Sequence, residues 1–216
     1  MNLVKRLANC QLKSLGNFTQ KGYLDVEQRS DKAVRVGLLF REYNDNFYSF
    51  KALCQQIKED WICHGRDWSL PGFRAIAVCR FGKWRMHVRH RFVRAPFSML
   101  YRILYRRVRN RYGIELPYTV SLGRKVIIEH QNGIVIHGNV TIGDECIIRQ
   151  GVTIGNVRIE NPDEAPQLGH RVNIGAGAKL LGNIKIGNDV LIGANAVVIK
   201  DAPCGQTVVG VPAKGY

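Results

Sequence analysis

Residues 129–133 of this 216-residue chain, Glu-His-Gln-Asn-Gly, place a histidine beside a carboxylate. Imidazole titrates near neutral pH, so His130 is able to take the proton of an attacking hydroxyl group and return it to a leaving group. A lone histidine is more often a hydrogen-bonded structural residue than a catalyst. Here, however, it falls at a break in a repeat, and departures from a local rule are expected at functional sites. The sequence therefore predicts that His130 is a general base, with Glu129 beside it.

The element that must position His130 is a six-residue repeat of aliphatic residues in the second half of the chain. A helix needs apolar positions every three or four residues and a strand needs them every two, so this period fits neither. It predicts a triangular solenoid of about five coils, in which each six-residue unit supplies one short face. The repeat consists of two runs: Ile136, Ile142, Ile148 and Ile154, and then Leu168, Ile174, Leu180, Ile186, Ile192 and Val198.

The repeat is interrupted twice. Between Ile128 and Ile136 the interval is eight residues, and the extra residues fall in the segment that contains His130. Between Ile154 and Leu168 the interval is fourteen, which predicts a loop at residues 156–167. Regular coils must use their side chains for packing, so we expect the chemistry at these two breaks.

This pattern resembles the hexapeptide-repeat acyltransferases, and Gly-Val-Pro-Ala-Lys at residues 210–214 is similar to that family's closing signature. The resemblance implies a mainly β fold, a left-handed parallel β-helix, with an N-terminal α-helical domain. The chain is similar both to serine O-acetyltransferases and to the acetyltransferases that decorate bacterial polysaccharides such as colanic acid. We accordingly expect an irregular extension at 1–33, a basic α-helical domain at 34–112 and the acyltransferase β-helix at 113–216.

The resemblance also assigns catalytic roles. Residues 126–136 resemble the serine acetyltransferase segment that carries an Asp-His pair, which again makes His130 the base. An imidazole base works best when a second group fixes its tautomer. The resemblance supplies two candidates, Glu115, which replaces the family's orienting Asp, and Glu129. Adjacent residues on a strand point to opposite faces, so we favour Glu115; the alternative for Glu129 is a simple exposed carboxylate.

The acceptor loop departs from the serine acetyltransferase pattern. Where that family carries an Arg-His pair that helps to hold the amino acid, this chain has Glu164-Ala165. The loss argues against serine and suits a neutral sugar hydroxyl better. The predicted contacts to the acceptor are Asp67, Asn132, Arg149 and Asn156.

For the acetyl donor, the family binds acetyl-CoA in the groove between neighbouring solenoids, largely through backbone amides at turns of small residues. The resemblance thus implies acetyl-CoA as co-substrate, no metal, and a homotrimer, with a dimer of trimers left open. The turn geometry of the solenoid alone also explains the small residues, so both interpretations stay open. The predicted turn contacts are Gly175, Ala176, Ala194 and Asn195, and the predicted partners of the CoA phosphates are Arg171, Lys179, Lys200 and Lys214.

The formal charge of +15 lies in the first half of the chain, where residues 1–113 hold 23 Lys and Arg against 8 Asp and Glu. Residues 74–113 contain 12 basic residues and no acidic one, and between Phe97 and Val108 the apolar residues recur at helical spacing. Three interpretations are open for this basic helix. It is a solvated face, a contact through residues 74–111 with an anionic membrane or a phosphate-bearing lipid or glycan, or a nucleic-acid surface. We do not expect nucleic acid, because no recognised binding motif accompanies the charge.

These observations predict an acetyl-CoA-dependent O-acetyltransferase that acts on a sugar hydroxyl of a bacterial polysaccharide or its lipid-linked precursor. One alternative is a serine O-acetyltransferase of cysteine biosynthesis. Another is a γ-type carbonic anhydrase, although His130, His137 and His170 lack that family's zinc-ligand spacing, and a third is a non-enzymatic membrane or scaffold role.

The cellular location follows from what the sequence lacks. It has neither the roughly 20 uninterrupted apolar residues of a membrane span nor a clear signal peptide. Its six cysteines show no CxxC spacing and are expected to be reduced thiols. We therefore expect a cytoplasmic protein, with a place at the inner face of the membrane left open.

Overall fold

A computed structural model of the protein describes residues 49–157, 160 and 164–215. The predicted extension at 1–33, and the part of the helical domain before residue 49, lie outside these described residues. Within them the chain forms three helices followed by fifteen short strands. The helices, α1 to α3, are called the helical cap below.

Each helix begins and ends where its sequence provides a signal. Helix α1 (Phe50–Cys63) is capped by Ser49, whose hydroxyl accepts a hydrogen bond of 3.1 Å from the Ala52 amide. Helix α2 (Pro71–Arg85) starts with a proline, which needs no intrahelical partner there. Helix α3 (Arg91–Tyr112) ends at Gly113, which adopts a left-handed φ of 61° and leads directly into the first strand. The amphipathic basic helix predicted from the sequence is therefore confirmed.

The strands form three parallel sheets, one for each face of the solenoid. The first sheet contains β1 (Ile114–Glu115), β4 (Ile134–Ile136), β7 (Thr153–Gly155), β10 (Lys179–Leu181) and β13 (Val197–Val198). The second contains β2 (Ser121–Leu122), β5 (Thr141–Ile142), β8 (Gln167–Leu168) and β11 (Lys185–Ile186). The third contains β3 (Ile127–Ile128), β6 (Ile147–Ile148), β9 (Asn173–Ile174), β12 (Leu191–Ile192), β14 (Thr207–Gly210) and the antiparallel β15 (Ala213–Gly215).

The core of the solenoid is the column of aliphatic side chains that the repeat predicts. All ten members of the two runs are at most 4% exposed. They pair with one another between coils, as Ile136 does with Ile154 and Ile148 with Ile174. Each strand is only two to four residues long, so its stability comes from stacking on its neighbours. The prediction of a parallel β-helix with an N-terminal helical part is confirmed.

The helical cap is fixed to the first coil at β3, immediately before the turn that carries His130. Gly72 of α2 approaches so closely that a Cβ atom there would overlap the carbonyl oxygen of Ile128. The buried His64 donates from Nδ1 to the Asp60 carbonyl (2.7 Å) and accepts at Nε2 from the Ile128 amide (3.3 Å). Arg80 pairs with the fully buried Asp60 and donates to the Gly123 carbonyl at 2.7 Å. The cap therefore determines where the first coil lies.

Cysteines and membrane spans complete the description. Cys54, Cys63, Cys79 and Cys146 are free thiols. Cys204 is disulfide-bonded, which corrects the expectation that all six cysteines are reduced. Among the helices of the described residues, none combines the length and the apolar character needed to cross a bilayer.

Candidate active site

The turn at residues 129–133 links β3 to β4 at the top of the solenoid. Asn132 and Gly133 take left-handed φ values of 82° and 68°, which turn the chain from one face to the next. The Asn132 amide donates to the carbonyl of Tyr112 at the end of α3 (2.9 Å), and its carbonyl accepts from the Gly151 amide below (2.9 Å). The turn is therefore held from both sides by its backbone. Asn132, predicted as an acceptor contact, has this structural role in addition.

His130 projects from this turn and is exposed. Among the described residues its side chain has no hydrogen-bond or ion-pair partner. An imidazole placed in this way is open to a substrate on its outer side. The backbone position of the predicted base is thus fixed, while its ring remains available.

Glu129 and Arg149, predicted separately as a catalytic carboxylate and an acceptor contact, form an ion pair. Arg149 Nε lies 2.7 Å from Glu129 Oε2, and the same guanidinium also bonds the side-chain oxygen of Asn173. The Glu129 carboxylate is therefore turned towards the next coil and not towards the ring of His130. This pair places a negative and a positive group beside the base, with Glu129 exposed and Arg149 partly buried, and each orients the other.

Glu115, predicted to orient His130, has a different partner in the chain. It lies on β1 opposite Val135 and accepts a hydrogen bond from Tyr105 of α3. Burial, followed by the charge of Glu115 and this hydrogen bond, raises the pKa of Tyr105. In the described part of the chain no hydrogen bond joins Glu115 to His130. The expected orienting contact is not formed within one chain because Glu115 stacks on the strand that follows the turn.

Glu115 instead lines a surface groove of about 300 Å³ along the first sheet. The groove also contains Asn156, a predicted acceptor contact, at the point where the loop before β8 leaves the solenoid. His137 stands in the same groove, and its Nδ1 accepts a hydrogen bond from the Asn139 amide at 3.4 Å. Sequence reasoning considered His137 only as a zinc ligand. His137 directly follows Ile136, at the end of β4. From this position in the repeat its place beside the loop could have been predicted.

Asp67 lies in the turn between α1 and α2, and hydrogen bonds connect that turn to the turn of His130. Its carboxylate accepts from the Ser69 amide at 2.7 Å, and hydrogen bonds from Ser69 lower the pKa of Asp67. Arg74 donates to the neighbouring Trp68 carbonyl (2.9 Å) and to the Tyr112 hydroxyl (2.6 Å). Because the Tyr112 carbonyl holds the Asn132 amide, the two predicted substrate-binding turns belong to one connected structure.

The predicted CoA-binding turns stack directly on each other at one corner of the solenoid. The Asn195 amide donates to the Ala176 carbonyl at 2.8 Å, and a Cβ atom at Gly175 would overlap the Ala194 amide. Coil stacking is therefore sufficient to require small residues here. Ala194 and Asn195 are exposed, so their outer surface remains open to a ligand.

The cations predicted to bind the CoA phosphates lie in different surroundings. Arg171 is held by both carboxylate oxygens of Asp189, at 2.6 and 2.8 Å, so its fork is already occupied in this chain. Lys179, on the first sheet, donates to the Gly151 carbonyl. Lys200 is exposed beyond β13, and Lys214 belongs to β15. Of this set, Lys200 and Lys179 lie on or next to the strands of the first sheet.

A zinc site of the carbonic anhydrase kind does not form from the residues considered for it. His170 Nδ1 accepts from the Asp144 amide at 3.0 Å, on a different corner from His130. Within the described ranges, no three His, Cys, Asp or Glu side chains are grouped so that they could hold a metal ion.

Comparison with known proteins extends this description. The family model described as Bacterial transferase hexapeptide (six repeats) matches residues 165–200. The chain is 39% identical over 144 residues to the serine acetyltransferase of Synechococcus elongatus, which covers 67% of this chain and 56% of the relative. It is 40% identical over 144 residues to the serine acetyltransferase of Helicobacter pylori, which covers 67% of this chain and 80% of that relative. The chain thus spans little more than half of the first relative and four fifths of the second.

Solved structures give the same result for the fold. The serine acetyltransferase of Brucella abortus, determined in complex with coenzyme A, superposes with a TM-score of 0.67 at 26% identity and covers 83% of this chain and 74% of its own. The resemblance to hexapeptide acetyltransferases, and with it the left-handed sense of the β-helix, is confirmed.

Proposed function

This chain belongs to the serine acetyltransferase family of hexapeptide-repeat transferases, and we propose that it transfers the acetyl group of acetyl-CoA to an alcohol hydroxyl, with serine as the acceptor. The observation that carries the proposal is the exposed His130 on a turn fixed from above and below, in a chain 40% identical to a named serine acetyltransferase. The relatives favour serine over the sugar hydroxyl that the sequence alone predicted.

In the proposed reaction His130 removes the proton of the acceptor hydroxyl, and the alkoxide oxygen attacks the carbonyl carbon of the thioester. A backbone amide stabilises the negative oxygen of the tetrahedral intermediate. The C–S bond then breaks, and the leaving CoA thiolate takes the proton from His130. Glu129, paired with Arg149, is positioned to bind the ammonium group of the amino acid, and Arg149 to bind its carboxylate.

A second acceptor, a sugar hydroxyl, is favoured by one observation. Ala165 is 2% exposed and Glu164 is exposed at the position where the family resemblance places an Arg-His pair. A buried methyl group offers no hydrogen bond to an amino acid, and an anionic side chain repels its carboxylate. A neutral hydroxyl acceptor avoids both penalties, and the groove with His137 and Asn156 offers polar groups to it.

The assembly predicted from the sequence is part of the proposal. One solenoid presents only one wall of a groove, and Glu115 does not reach His130 within the chain. A homotrimer would place a neighbouring solenoid against the exposed turns, and it would add the second wall for the pantetheine arm.

The experiment is release of CoA from acetyl-CoA, measured with a thiol reagent, in the presence of serine, simple sugars or bacterial surface glycans. We expect wild-type turnover with serine and a loss of kcat of about 10²- to 10⁴-fold in His130→Ala, because general base catalysis supplies that factor. His90→Gln, a change of another exposed histidine far along the chain, is the matched control and should keep wild-type turnover.

The outcomes separate the two acceptors and the mechanism. Turnover with a glycan and none with serine would show that the acceptor is a sugar hydroxyl and not serine. Full acetyl transfer by His130→Ala, with any acceptor, would show that the assigned base is wrong.

A further inference from the structure

Helix α3 carries two apolar stripes, of which only one is buried in the chain. Tyr101 and Val108 are 6% exposed and belong to the core, and Leu104, Tyr105 and Tyr112 pack against it. The large apolar side chains of α3 that remain exposed are together called the α3 outer face here. It consists of Phe92, Val93, Met99, Leu100 and Ile103, which are 78, 52, 66, 45 and 56% exposed.

The α3 outer face has the spacing of a continuous helical stripe. Phe92, Met99 and Ile103 fall at positions i, i+7 and i+11, with Pro96 at i+4, so they lie one above another along about three turns. Scattered exposed apolar residues are ordinary on a protein surface. A contiguous row of large apolar side chains on one side of a helix is typical of a binding surface.

Arginines border this stripe on both sides. By helical position Arg102, Arg106 and Arg109 lie along one edge, and Arg107 and Arg111 along the other. Within the described residues none of these five forms an ion pair with a carboxylate, and the sequence has no acidic residue from 74 to 113. All five side chains are exposed, and Arg109 also lies over the Tyr105 ring at 5.9 Å and bonds the side chain of Asn110. The positive charge of this helix is therefore exposed and has no carboxylate partner among the described residues.

We propose that the α3 outer face is a docking surface for an anionic lipid membrane, on which the helix lies parallel to the bilayer plane. Large apolar side chains enter the boundary between headgroups and acyl chains, while arginine stems extend along the same surface and their guanidinium groups reach lipid phosphates. The observed order, apolar centre and cationic edges, is the arrangement that this binding mode requires. The proposal concerns the cap and is independent of the acceptor of the acetyl group.

The same features disfavour two other occupants. A second copy docked through the identical face would bring two arginine-bordered surfaces together, and no carboxylate on that face would neutralise their repulsion. Nucleic acid would attract the arginines, but it has no use for a row containing Met99, Leu100 and Ile103, because phosphate contacts need only the charge. Anionic lipid uses both parts of the surface.

The test is co-sedimentation of the full chain with vesicles of phosphatidylcholine alone or with about 30% phosphatidylserine, in about 0.1 M salt. We expect binding to the anionic vesicles and little to the neutral ones. Replacing the apolar row, in Phe92→Ser/Met99→Ser/Ile103→Ser, should weaken the partition coefficient by about tenfold or more. Arg102→Gln/Arg106→Gln/Arg109→Gln should weaken the partition coefficient by about 100-fold, because each of the three cations contributes about a fivefold factor near an anionic surface.

Matched controls change equally exposed residues elsewhere. Ile199→Ser, 48% exposed at a solenoid turn, and Lys51→Gln/Lys58→Gln on α1 should bind the anionic vesicles as wild type does. All the altered side chains are exposed, and circular dichroism checks that each variant is folded.

Four results would overturn the proposal. The first is absence of binding to the anionic vesicles, and the second is unchanged binding by the apolar triple variant. The third is a lower native mass of that variant in analytical ultracentrifugation, which would show that a second copy covers the face. The fourth is that duplex DNA displaces the wild type and the apolar triple variant from the vesicles equally well. That result would assign the surface to nucleic acid.

Discussion

The buried ion pair between Asp60 and Arg80 is the strongest single link between the helical cap and the coil that carries the proposed base. Arg80 bonds both oxygens of the fully buried Asp60 carboxylate and donates to the Gly123 carbonyl of the solenoid. Arg80→Met keeps most of the side-chain volume but removes these bonds. The carboxylate is then left in the interior without its counter-charge.

The magnitude follows from that isolated charge. Removing one partner of a buried ion pair lowers the free energy of unfolding by about 3–5 kcal/mol. This is a large part of the roughly 5–15 kcal/mol that stabilises a typical domain. In the double variant Asp60→Leu/Arg80→Met both charges are absent, and the main remaining penalty is the unpaired Gly123 carbonyl, about 1–3 kcal/mol. The double variant is therefore expected to be more stable than the single one.

The pH dependence has a defined sign. Burial raises the pKa of Asp60 even beside Arg80, and Arg80 opposes that rise. Removing Arg80 raises it further above its value in the unfolded chain. A group whose pKa is raised on folding stabilises the fold fully below its unfolded pKa, and this stability is lost as the pH rises through the folded pKa. The loss of unfolding free energy in Arg80→Met, relative to wild type, should thus be smaller near pH 4 than at pH 7.

Urea unfolding followed by tryptophan fluorescence measures these effects, because all three tryptophans, at 61, 68 and 84, lie in the cap helices or in the turn between the first two. Arg124→Gln, which removes an exposed ion pair with Glu59, is the matched control and should cost no more than about 1 kcal/mol. If Arg80→Met lost less than this control, or if the double variant were no more stable than the single one, the reasoning from an isolated buried charge would be refuted.

Two further predictions concern stability. Gly143→Ala should lower the free energy of unfolding by about 2 kcal/mol or more, because the new Cβ atom would overlap the backbone carbonyl group of Gly169 in the next coil. Gly205→Ala, with φ of 73° in open space, should cost only about 1 kcal/mol, and equal losses in urea unfolding would contradict the packing argument. The hydrogen bond from Arg124 lowers the pKa of Glu59, so its stabilisation should be present above the ordinary pKa of a glutamate and lost as the pH falls through the folded value; the difference between wild type and Glu59→Gln should shrink between about pH 6 and pH 3, and a constant difference would contradict it.

The solenoid could be predicted from the sequence because its anchors depend only on side-chain type and spacing. An aliphatic residue at every sixth position has one place to go, the axis, and Ile174 and Leu180 accordingly have no exposed surface. The two interruptions were visible as well. They change the residue count of a coil without changing which residues face inward.

The side-chain pairs between coils follow from the number of residues in each coil, although these pairs were not predicted from the sequence. Ile128 pairs with Ile148, twenty residues on, because the first interruption lengthens that coil. The next residues, Glu129 and Arg149, then stack and form their ion pair. A regular coil is eighteen residues, which places Asp189 beside Arg171. Both residues of the first pair were predicted as site residues, and only their partnership was missed.

The contacts of the cap could not be predicted in this way. Asp60 meets Arg80, and His64 meets the Ile128 amide, through the packing of three helices whose crossing angles no short pattern specifies. Helical periodicity identified which side of α3 is apolar. It did not show that a second apolar side would remain exposed, because that depends on how much of the helix the first coil covers.

Coil counting also explains why Glu115 does not orient His130 within one chain. Glu115 stacks on Val135, one coil further, whereas His130 precedes that strand and lies at the corner. One coil after His130 comes Gln150, and the chain that precedes the first coil is helix α3, so no carboxylate stacks on His130 in its own column. A carboxylate that fixes the imidazole tautomer must therefore approach across the corner or from another chain. This requirement follows from the interval of twenty residues and from the helix that precedes the first coil, and it gives the proposed trimer a chemical reason in addition to the second wall of the CoA groove.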